Sequence, residues 1–442
     1  MELCGHLSPQ NYHTIHVFSS NLSSAIASFF TQNPLHKIAQ ISPSPRPMPG
    51  SDPLSQQSAH DFEAYLITHA RVPDLPSPLC AIIDFQMGWT KGVFFFWKFN
   101  IPVIGLFTLG VCTAAMEWNA WKVLAGDLKS GETLPVRGLP EEMSLTHSDF
   151  LRKPFGPQRG SGQSKTDPKR GGRGPPKLGD RPPWVPKIQG SIALMFNTSD
   201  YIDGPFIEHM ADQMGMSAWV VVPLLSQQYW NSSAKLIRNC EITEDKQCQS
   251  NFTEDEITQW LDSKPRGSIL YVDFGSKVGP MMELASARRV RWALRLGHTT
   301  GVGGLDKRMG DGGLVIYGWE PQLLILSHKS AGGFLSHCEW NSTMEAIGRG
   351  IPFLSWPIRV DQYFNAKLVV SYHKVGYRVA HDLSLLITKD DILMGVQRLI
   401  GDIEMKRRAE VLYAKFEHGF LASYVAALDA FENFTSQNQM VV

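Results

Sequence analysis

The stretch that decides the fold is WEPQLLILSHKSAGGFLSHCEWNSTMEAIGRGIPFLSWPIRVDQ, residues 319–362. Within it, GGFLSH predicts a short strand that ends in a loop. NSTMEAIGRG then predicts a helix with Asn341 and Ser342 at its N-terminus and Gly350 at its C-terminal end. IPFLSWP at 351–357 predicts the next strand. A strand, a helix and a second strand in this order indicate a βαβ unit of a parallel sheet.

The start of the predicted helix is also a candidate anion site. A helix N-terminus at the carboxyl end of a parallel strand directs backbone N–H groups and its dipole at a phosphate. His337 and Ser342 are placed to donate to phosphate oxygens, and Glu345, one turn later, to accept from ribose hydroxyls. Trp319 is suited to lie under a planar base. Each residue alone has an ordinary structural role, as a core side chain or a helix cap, so the interpretation rests on their combination.

Apolar runs elsewhere in the chain continue the same pattern. In the first half, the runs at 12–20, 79–85, 100–108, 191–200 and 218–225 predict strands, with helical sequence between them. In the second half, strands are predicted at 267–276, 290–296 and 313–319. The alternation predicts an α/β protein with doubly wound parallel sheets, whose ligands bind where two α/β units face each other.

The length of the chain, 442 residues, predicts two domains. We expect an N-terminal domain at 1–230, a polar linker at 231–256, and a C-terminal domain at 257–442 whose last helix packs back on the first domain. Residues 151–187 are rich in Pro, Gly and basic residues, which predicts a disordered loop. Its KRGGRG core, 169–174, raises an RNA-binding hypothesis, but few aromatic residues lie between the basic ones.

Charge and cysteine content narrow the class of protein. Of the 442 residues, Lys+Arg and Asp+Glu are both 42, so the formal net charge is +0, and the overall charge provides no attraction to nucleic acid or to acidic membrane. The six cysteines include no CxxC pair, which favours free thiols in a reducing compartment. No signal peptide is predicted, and the apolar stretch 101–116 is too interrupted to span a bilayer. We therefore expect a cytoplasmic monomer.

The quoted stretch carries a series of short motifs in a fixed order: W-x-P-Q, H-x-x-x-G-G-F, H-C-x-W-N-S, E, G-x-P, W-P and D-Q. In order and spacing it resembles the signature box of plant family-1 UDP-glycosyltransferases. The resemblance extends to 259–276 and 361–370. It implies a GT-B fold, in which two Rossmann-like domains enclose a cleft. The C-terminal domain would hold a UDP-sugar and the N-terminal domain a small acceptor.

The resemblance also implies a role for each motif residue. Trp319 would stack on uracil, Gln322 would contact the nucleoside and Glu345 would bind the ribose. A terminal Gln in such a box goes with glucose as the donor sugar. The implied reaction transfers glucose from UDP-glucose, with inversion and without a metal or other cofactor, to a small plant phenolic, flavonoid or hormone. The remaining implied ligands are Ser276, His337, Asn341 and Ser342 for the diphosphate and Trp340, Asp361 and Gln362 for the sugar.

Two residues depart from the family pattern. Glu339 stands where the family has Gly, and Asp273 stands where it usually has Ser. Both carboxylates are expected beside the diphosphate. If Glu339 points inward, repulsion between like charges weakens donor binding; if it points outward, it has little effect.

The catalytic base is not identified. Gly5-His6 resembles the family's catalytic histidine, but only MELC precedes it, and a strand of about five to six residues has no room there. Because the strand IHVFSS follows so soon, we expect MELCGHLSPQNYHT to match the second half of the first helix, so that the first strand and its histidine are missing. Position 92, where the supporting aspartate is expected, is Gly92. The alternative function is a catalytically silent homologue that binds only a nucleotide sugar or an apolar metabolite.

Overall fold

The structure is a computed structural model that describes residues 15–19, 36–40, 63–68, 71, 78–85, 101–123, 128–129, 131–150, 179–221, 250–275, 291–296, 313–317, 320–359, 361–380 and 387–439. The chain divides into two compact units. The first unit consists of Met1–Leu109, Trp184–Cys248 and Gly419–Val442. The second unit consists of Gly110–Pro183 and Gln249–His418.

The strands in chain order are β1 (Ile15–Ser19), β2 (His36–Gln40), β3 (Ala81–Asp84), β4 (Val103–Phe107), β5 (Thr133–Leu134), β6 (Leu145–Thr146), β7 (Ala193–Phe196), β8 (Ser217–Val220), β9 (Ile269–Asp273), β10 (Arg291–Leu296), β11 (Gly313–Tyr317), β12 (Ala331–Ser336), β13 (Phe353–Ser355) and β14 (Gly376–Arg378). The labelled helices are α1 (Val111–Lys122), α2 (Asp200–Met214), α3 (Glu254–Asp262), α4 (Gln322–Ser327), α5 (Trp340–Ile347), α6 (Gln362–Lys367), α7 (Lys389–Gly401) and α8 (Ile403–Gln439). Further helical segments are 63–68, Glu141–Met143, His147–Phe150, Val185–Ile188 and the π-helical Leu368–Tyr372.

The first unit contains a parallel four-stranded sheet in the order β3-β4-β7-β8, and β1 pairs with β2, also in parallel. All four residues of β7 are buried, as expected for a parallel strand covered on both faces. Phe107 and Phe196 stack with their ring centroids 4.7 Å apart at the carboxyl ends of β4 and β7. Gly215 ends α2 in the left-handed conformation, at φ 63°, which glycine adopts without steric cost.

The second unit contains a parallel six-stranded sheet in the order β11-β10-β9-β12-β13-β14. All five residues of β9 are buried. From β9 the chain builds β10 and β11 on one side, and then returns to build β12, β13 and β14 on the other. The strand order therefore reverses between β9 and β12. In open α/β sheets such a reversal places the ligand crevice at the carboxyl ends of those two strands.

Close packing explains the two glycines of the AGGF sequence in β12. A Cβ atom on Gly332 would lie 2.0 Å from the carbonyl oxygen of Gly267, and one on Gly333 would lie 2.5 Å from a methyl group of Leu399. The register between β12 and β9 shifts between Ala331 and Gly333. Only glycine therefore lets β12 approach its neighbours at this distance.

The predicted α/β architecture is confirmed, and each predicted apolar run overlaps a described strand. The prediction that 151–187 form a disordered loop was wrong at the C-terminal end of this segment. There, Val185–Ile188 is helical, and Trp184 and Ile188 are only 4% and 3% exposed. Residues 151–178 lie outside the described part, as do 231–249 of the predicted linker. The linker's last residues, 254–256, begin α3. The predicted domain limits stay a prediction.

No helix within the described ranges is long and apolar enough to cross a membrane.

Candidate functional site

The predicted site residues of the second unit lie along one edge of its sheet. Asp273 ends β9, His337 follows β12, and Asp361 and Gln362 follow β13, so all lie at carboxyl ends of parallel strands. This edge includes the point where the strand order reverses between β9 and β12. Ser276 and Trp319 lie outside the described residues, as do His6 and Gly92.

Gln322, Ser342 and Glu345 form one hydrogen-bonded cluster. Nε2 of Gln322 donates to Oγ of Ser342 at 3.1 Å and to Oε2 of Glu345 at 2.5 Å. Tyr271 of β9 donates from its hydroxyl to Oε1 of Gln322 at 3.1 Å and to Glu320 at 2.9 Å. The cluster therefore joins the N-terminus of α4, the first turn of α5 and the central strand β9. Tyr271 was not predicted, because within ILYVD it follows the pattern of a core residue.

Glu345 has an unusual ionisation. Burial raises the pKa of its carboxyl group to about 7, and the charges of Glu339 and Asp273 act in the same direction. The hydrogen bond from Gln322 and the charge of Arg349 oppose the shift. Close to neutral pH, a small change in surroundings therefore decides whether this group accepts or donates a hydrogen bond.

His337 and Asp273 meet where the strand order reverses. His337 is 6% exposed, and its Nδ1 lies 3.1 Å from the backbone carbonyl oxygen of Asp273, so Nδ1 carries the proton that is donated. The carboxylate of Asp273 accepts from the backbone N–H of Gly275 at 2.9 Å. A Cβ on Gly275 would lie 2.9 Å from Nε2 of His337, and φ of Gly275 is 74°. Gly275 therefore brings the backbone of this turn against the ring.

The open question about Glu339 is resolved in favour of an inward carboxylate. Glu339 is the N-cap of α5, and its Oε2 accepts from the backbone N–H of Ser342 at 3.4 Å. Its charge raises the pKa of both Glu345 and Asp361, so the carboxylate acts on two sides of the site. A carboxylate thus lies beside the helix N-terminus at which the sequence predicts a diphosphate.

Asp361 is held in a network that sequence reasoning missed. Nδ2 of Asn365, one turn later on α6, donates to Oδ2 of Asp361 at 3.0 Å and to the backbone oxygen of Cys338 at 3.0 Å. Oδ1 of Asn365 accepts from the hydroxyl of Thr113 on α1 at 3.1 Å. Burial raises the pKa of Asp361 to about 6, with Glu339 contributing in the same direction. The available signal in the sequence was a polar residue between the apolar Phe364 and Ala366.

The other predicted residues occupy varied positions. Oε1 of Gln362 accepts from the backbone N–H groups of Ile358 and Arg359, both at 2.9 Å, which orients its amide. Trp340 is 1% exposed, and a Cβ on Gly110 would lie 2.3 Å from its ring. Asn341 is exposed in the first turn of α5. Across the described ranges, no group of three or more His, Cys, Asp and Glu side chains is arranged to hold a metal.

The pKa of Glu345 predicts a pH dependence of stability. Its folded value, about 7, lies above the ordinary 4.5, so ionising the group costs more in the folded chain. The stabilisation of the protonated form is present below pH 4.5 and is lost as the pH rises through 7. Relative to E345Q, we expect the parent to lose about 2–3 kcal/mol of unfolding free energy over this interval. Urea titrations at pH 4.5, 6 and 8 measure the difference, with E410Q at an exposed position of α8 as the control. A constant difference between parent and E345Q would contradict the assignment.

Comparison with known proteins gives matches over most of the chain. The profile of the family described as "UDP-glucoronosyl and UDP-glucosyl transferase" matches residues 208–414. UDP-glycosyltransferase 73C6 of Arabidopsis thaliana is 39% identical, and the match covers 76% of this chain and 69% of that protein. The scopoletin glucosyltransferase of Nicotiana tabacum is 31% identical over 68% of this chain and 60% of that protein.

The fold has solved counterparts. The crystal structure of UGT71G1 from Medicago truncatula, complexed with UDP-glucose, superposes with a TM-score of 0.71 and 18% identity. The superposition covers 98% of this chain and 94% of that one. At this identity the likeness concerns the fold alone, and it confirms the predicted GT-B class.

Proposed function

The chain belongs to the family of UDP-glucoronosyl and UDP-glucosyl transferases, and we propose that it transfers glucose from UDP-glucose to a hydroxyl group of a small plant metabolite. The transfer inverts the anomeric carbon. The proposal rests on one observation, the hydrogen-bonded cluster of Gln322, Ser342 and Glu345. This cluster lies at the carboxyl edge of the six-stranded sheet.

The cluster supports a nucleoside-binding role. Glu345, when ionised, accepts hydrogen bonds from the ribose hydroxyls, and Gln322 holds the carboxylate toward the first turn of α5. Trp319 stacks on the base in this proposal. The pKa of about 7 at Glu345 means that ribose binding favours the ionised form and releases a proton below neutral pH.

The diphosphate lies at the N-terminus of α5. Backbone N–H groups there, with the side chains of Ser276, His337, Asn341 and Ser342, stabilise the negative charge that develops as UDP leaves. His337 donates to a phosphate oxygen from Nε2 only as the imidazolium, because Nδ1 already donates to the carbonyl of Asp273.

The hexose lies toward α6. Asp361 accepts from sugar hydroxyls, and Trp340 adjoins them. Because Oε1 of Gln362 accepts from the backbone, its Nε2 is directed away from that backbone, which supports donation to a hydroxyl of the sugar. The base that removes the acceptor proton is left unassigned.

The name of one relative supports the choice of acceptor class. That relative is named scopoletin glucosyltransferase, and we propose that this chain acts on a small phenolic hydroxyl. We also propose that the protein is a cytoplasmic monomer and that it needs only the UDP-sugar as co-substrate. The formal net charge of +0 and the scattered cysteines favour this setting.

The test is a transfer assay with UDP-glucose and a panel of phenolic acceptors that includes scopoletin, read by mass spectrometry. We expect Q322L to lower kcat/KM for UDP-glucose about tenfold or more, because it leaves Glu345 and Tyr271 without their shared partner. The matched control is Q259L at an exposed position of α3. Calorimetry with UDP separates the alternatives: binding without transfer supports the silent homologue, and neither binding nor transfer contradicts the proposal.

A further inference from the structure

We propose that Asn365 is a positioning residue that links the sugar end of the donor site to its diphosphate end, and that Thr113 sets the orientation of its amide. The inference rests on the proposed function, since it assigns these residues to the recognition of the hexose of a UDP-sugar. Asn365 and Thr113 lie outside the signature stretch 319–362.

The amide of Asn365 has one possible orientation. It is fully buried, and both groups that face Nδ2, the carbonyl of Cys338 and the carboxylate of Asp361, are acceptors. Its oxygen faces the hydroxyl of Thr113, which donates at 3.1 Å. Reversing the amide would place oxygen against two acceptors, so the network specifies a single arrangement.

The first consequence concerns the turn between β12 and α5. Cys338 has φ 62°, a left-handed conformation that is costly for a residue with a side chain. Oγ of Ser336 accepts from its N–H at 2.9 Å, and Asn365 donates to its carbonyl. Asn365 therefore helps to hold the turn that aims the N-terminus of α5 at the diphosphate.

The second consequence concerns the carboxylate of Asp361. The hydrogen bond from Asn365 to Oδ2 orients the carboxylate of Asp361. This orientation determines which sugar hydroxyls the carboxylate contacts. Two acidic groups act on it, Glu339 from the N-cap of α5 and Glu117 from α1, and both disfavour its ionised form. The N–H of Asn365 favours the ionised form, which is the form that accepts from sugar hydroxyls.

The test compares N365L, which keeps the number of non-hydrogen side-chain atoms and removes the hydrogen bonds, with T113V, which removes only the hydroxyl that donates to the amide oxygen. Calorimetry measures the dissociation constants of UDP-glucose, its C4 epimer UDP-galactose, and UDP. We expect the preference for UDP-glucose over UDP-galactose to fall about tenfold in N365L and about threefold in T113V. The pH below which UDP-glucose binding weakens should rise in N365L, because Asp361 loses a bond that favours its ionised form.

The matched control is N119L, which replaces another buried amide of the second unit, one that donates to the backbone oxygen of Ala115 in its own helix. If N365L, like N119L, lost stability but kept the preference for UDP-glucose over UDP-galactose and the pH dependence of UDP-glucose binding, the role of Asn365 would be purely structural. That result would overturn the inference. A parent that does not bind UDP-glucose would also overturn it. A parent that binds UDP-glucose but transfers nothing would reject only the proposed function.

Discussion

Removing the charge of Glu339 is expected to tighten UDP binding about tenfold or more. Its carboxylate caps α5 at the backbone N–H of Ser342, where the diphosphate is proposed to bind. Two negative groups a few ångströms apart near a protein surface repel by about 2–4 kcal/mol, of which solvent and mobile ions remove part. E339Q keeps an oxygen to cap the helix and loses only the charge. Calorimetric titration with UDP at low ionic strength measures the change.

The control for this prediction is E256Q, which removes a capping carboxylate at the N-terminus of α3 and is expected to leave UDP binding unchanged. Added salt should narrow the difference between E339Q and the parent, because it screens the repulsion. If E339Q bound UDP no better than the parent at low salt, the carboxylate would not oppose the diphosphate.

Replacing Lys367 with Met is expected to lower the free energy of unfolding by about 3–5 kcal/mol. Nζ of Lys367 lies 2.6 Å from Oδ2 of Asp149, and both side chains are 3% exposed. Burial opposes ionisation of Asp149, but the ammonium group of Lys367 holds the pKa of that carboxyl below its usual range. Without Lys367, the buried carboxylate keeps the more distant Arg378, at 3.9 Å, as a counter-charge. Urea unfolding at pH 7 measures the loss.

The chain offers a matched control in K374M. Lys374 pairs with Glu142 at 3.1 Å and joins the same two parts of the chain, but the two side chains are 55% and 44% exposed. An exposed pair contributes about 0–1 kcal/mol, so K374M should change little. The loss in K367M should also shrink toward pH 4, where Asp149 takes up a proton and its burial cost disappears. If K367M and K374M lowered the free energy of unfolding equally, burial would not increase the contribution of the Lys367–Asp149 pair to stability.

Much of the fold was predictable because the central strands are buried on both faces. Such strands need unbroken apolar runs, and β4 and β9 stand out in the sequence for this reason. β2 (HKIAQ) and β14 (GYR) were not predicted, since they are short and partly polar. β14 forms at the edge of the sheet by pairing with β13, so its conformation comes from its neighbour more than from its own residues.

The site was predictable only where its residues are close in sequence. His337, Ser342 and Glu345 lie on one loop and one helix, so their spacing already places them together. Thr113 and Asn365 are 252 positions apart, and no local pattern connects them. The same is true of Asp149 and Lys367, which are 218 positions apart.

By itself, the sequence determined the parallel sheets, the helix start at the end of β12, and the set of residues that surrounds it. These follow from periodicity, capping and spacing, which are properties of neighbouring residues. Only the tertiary structure decided that Glu339 points inward, that the pKa of Glu345 lies at about 7, and that Asn365 holds Asp361 and the carbonyl of Cys338. Burial and charge–charge distances control these properties, and both arise only when distant segments of the chain come together.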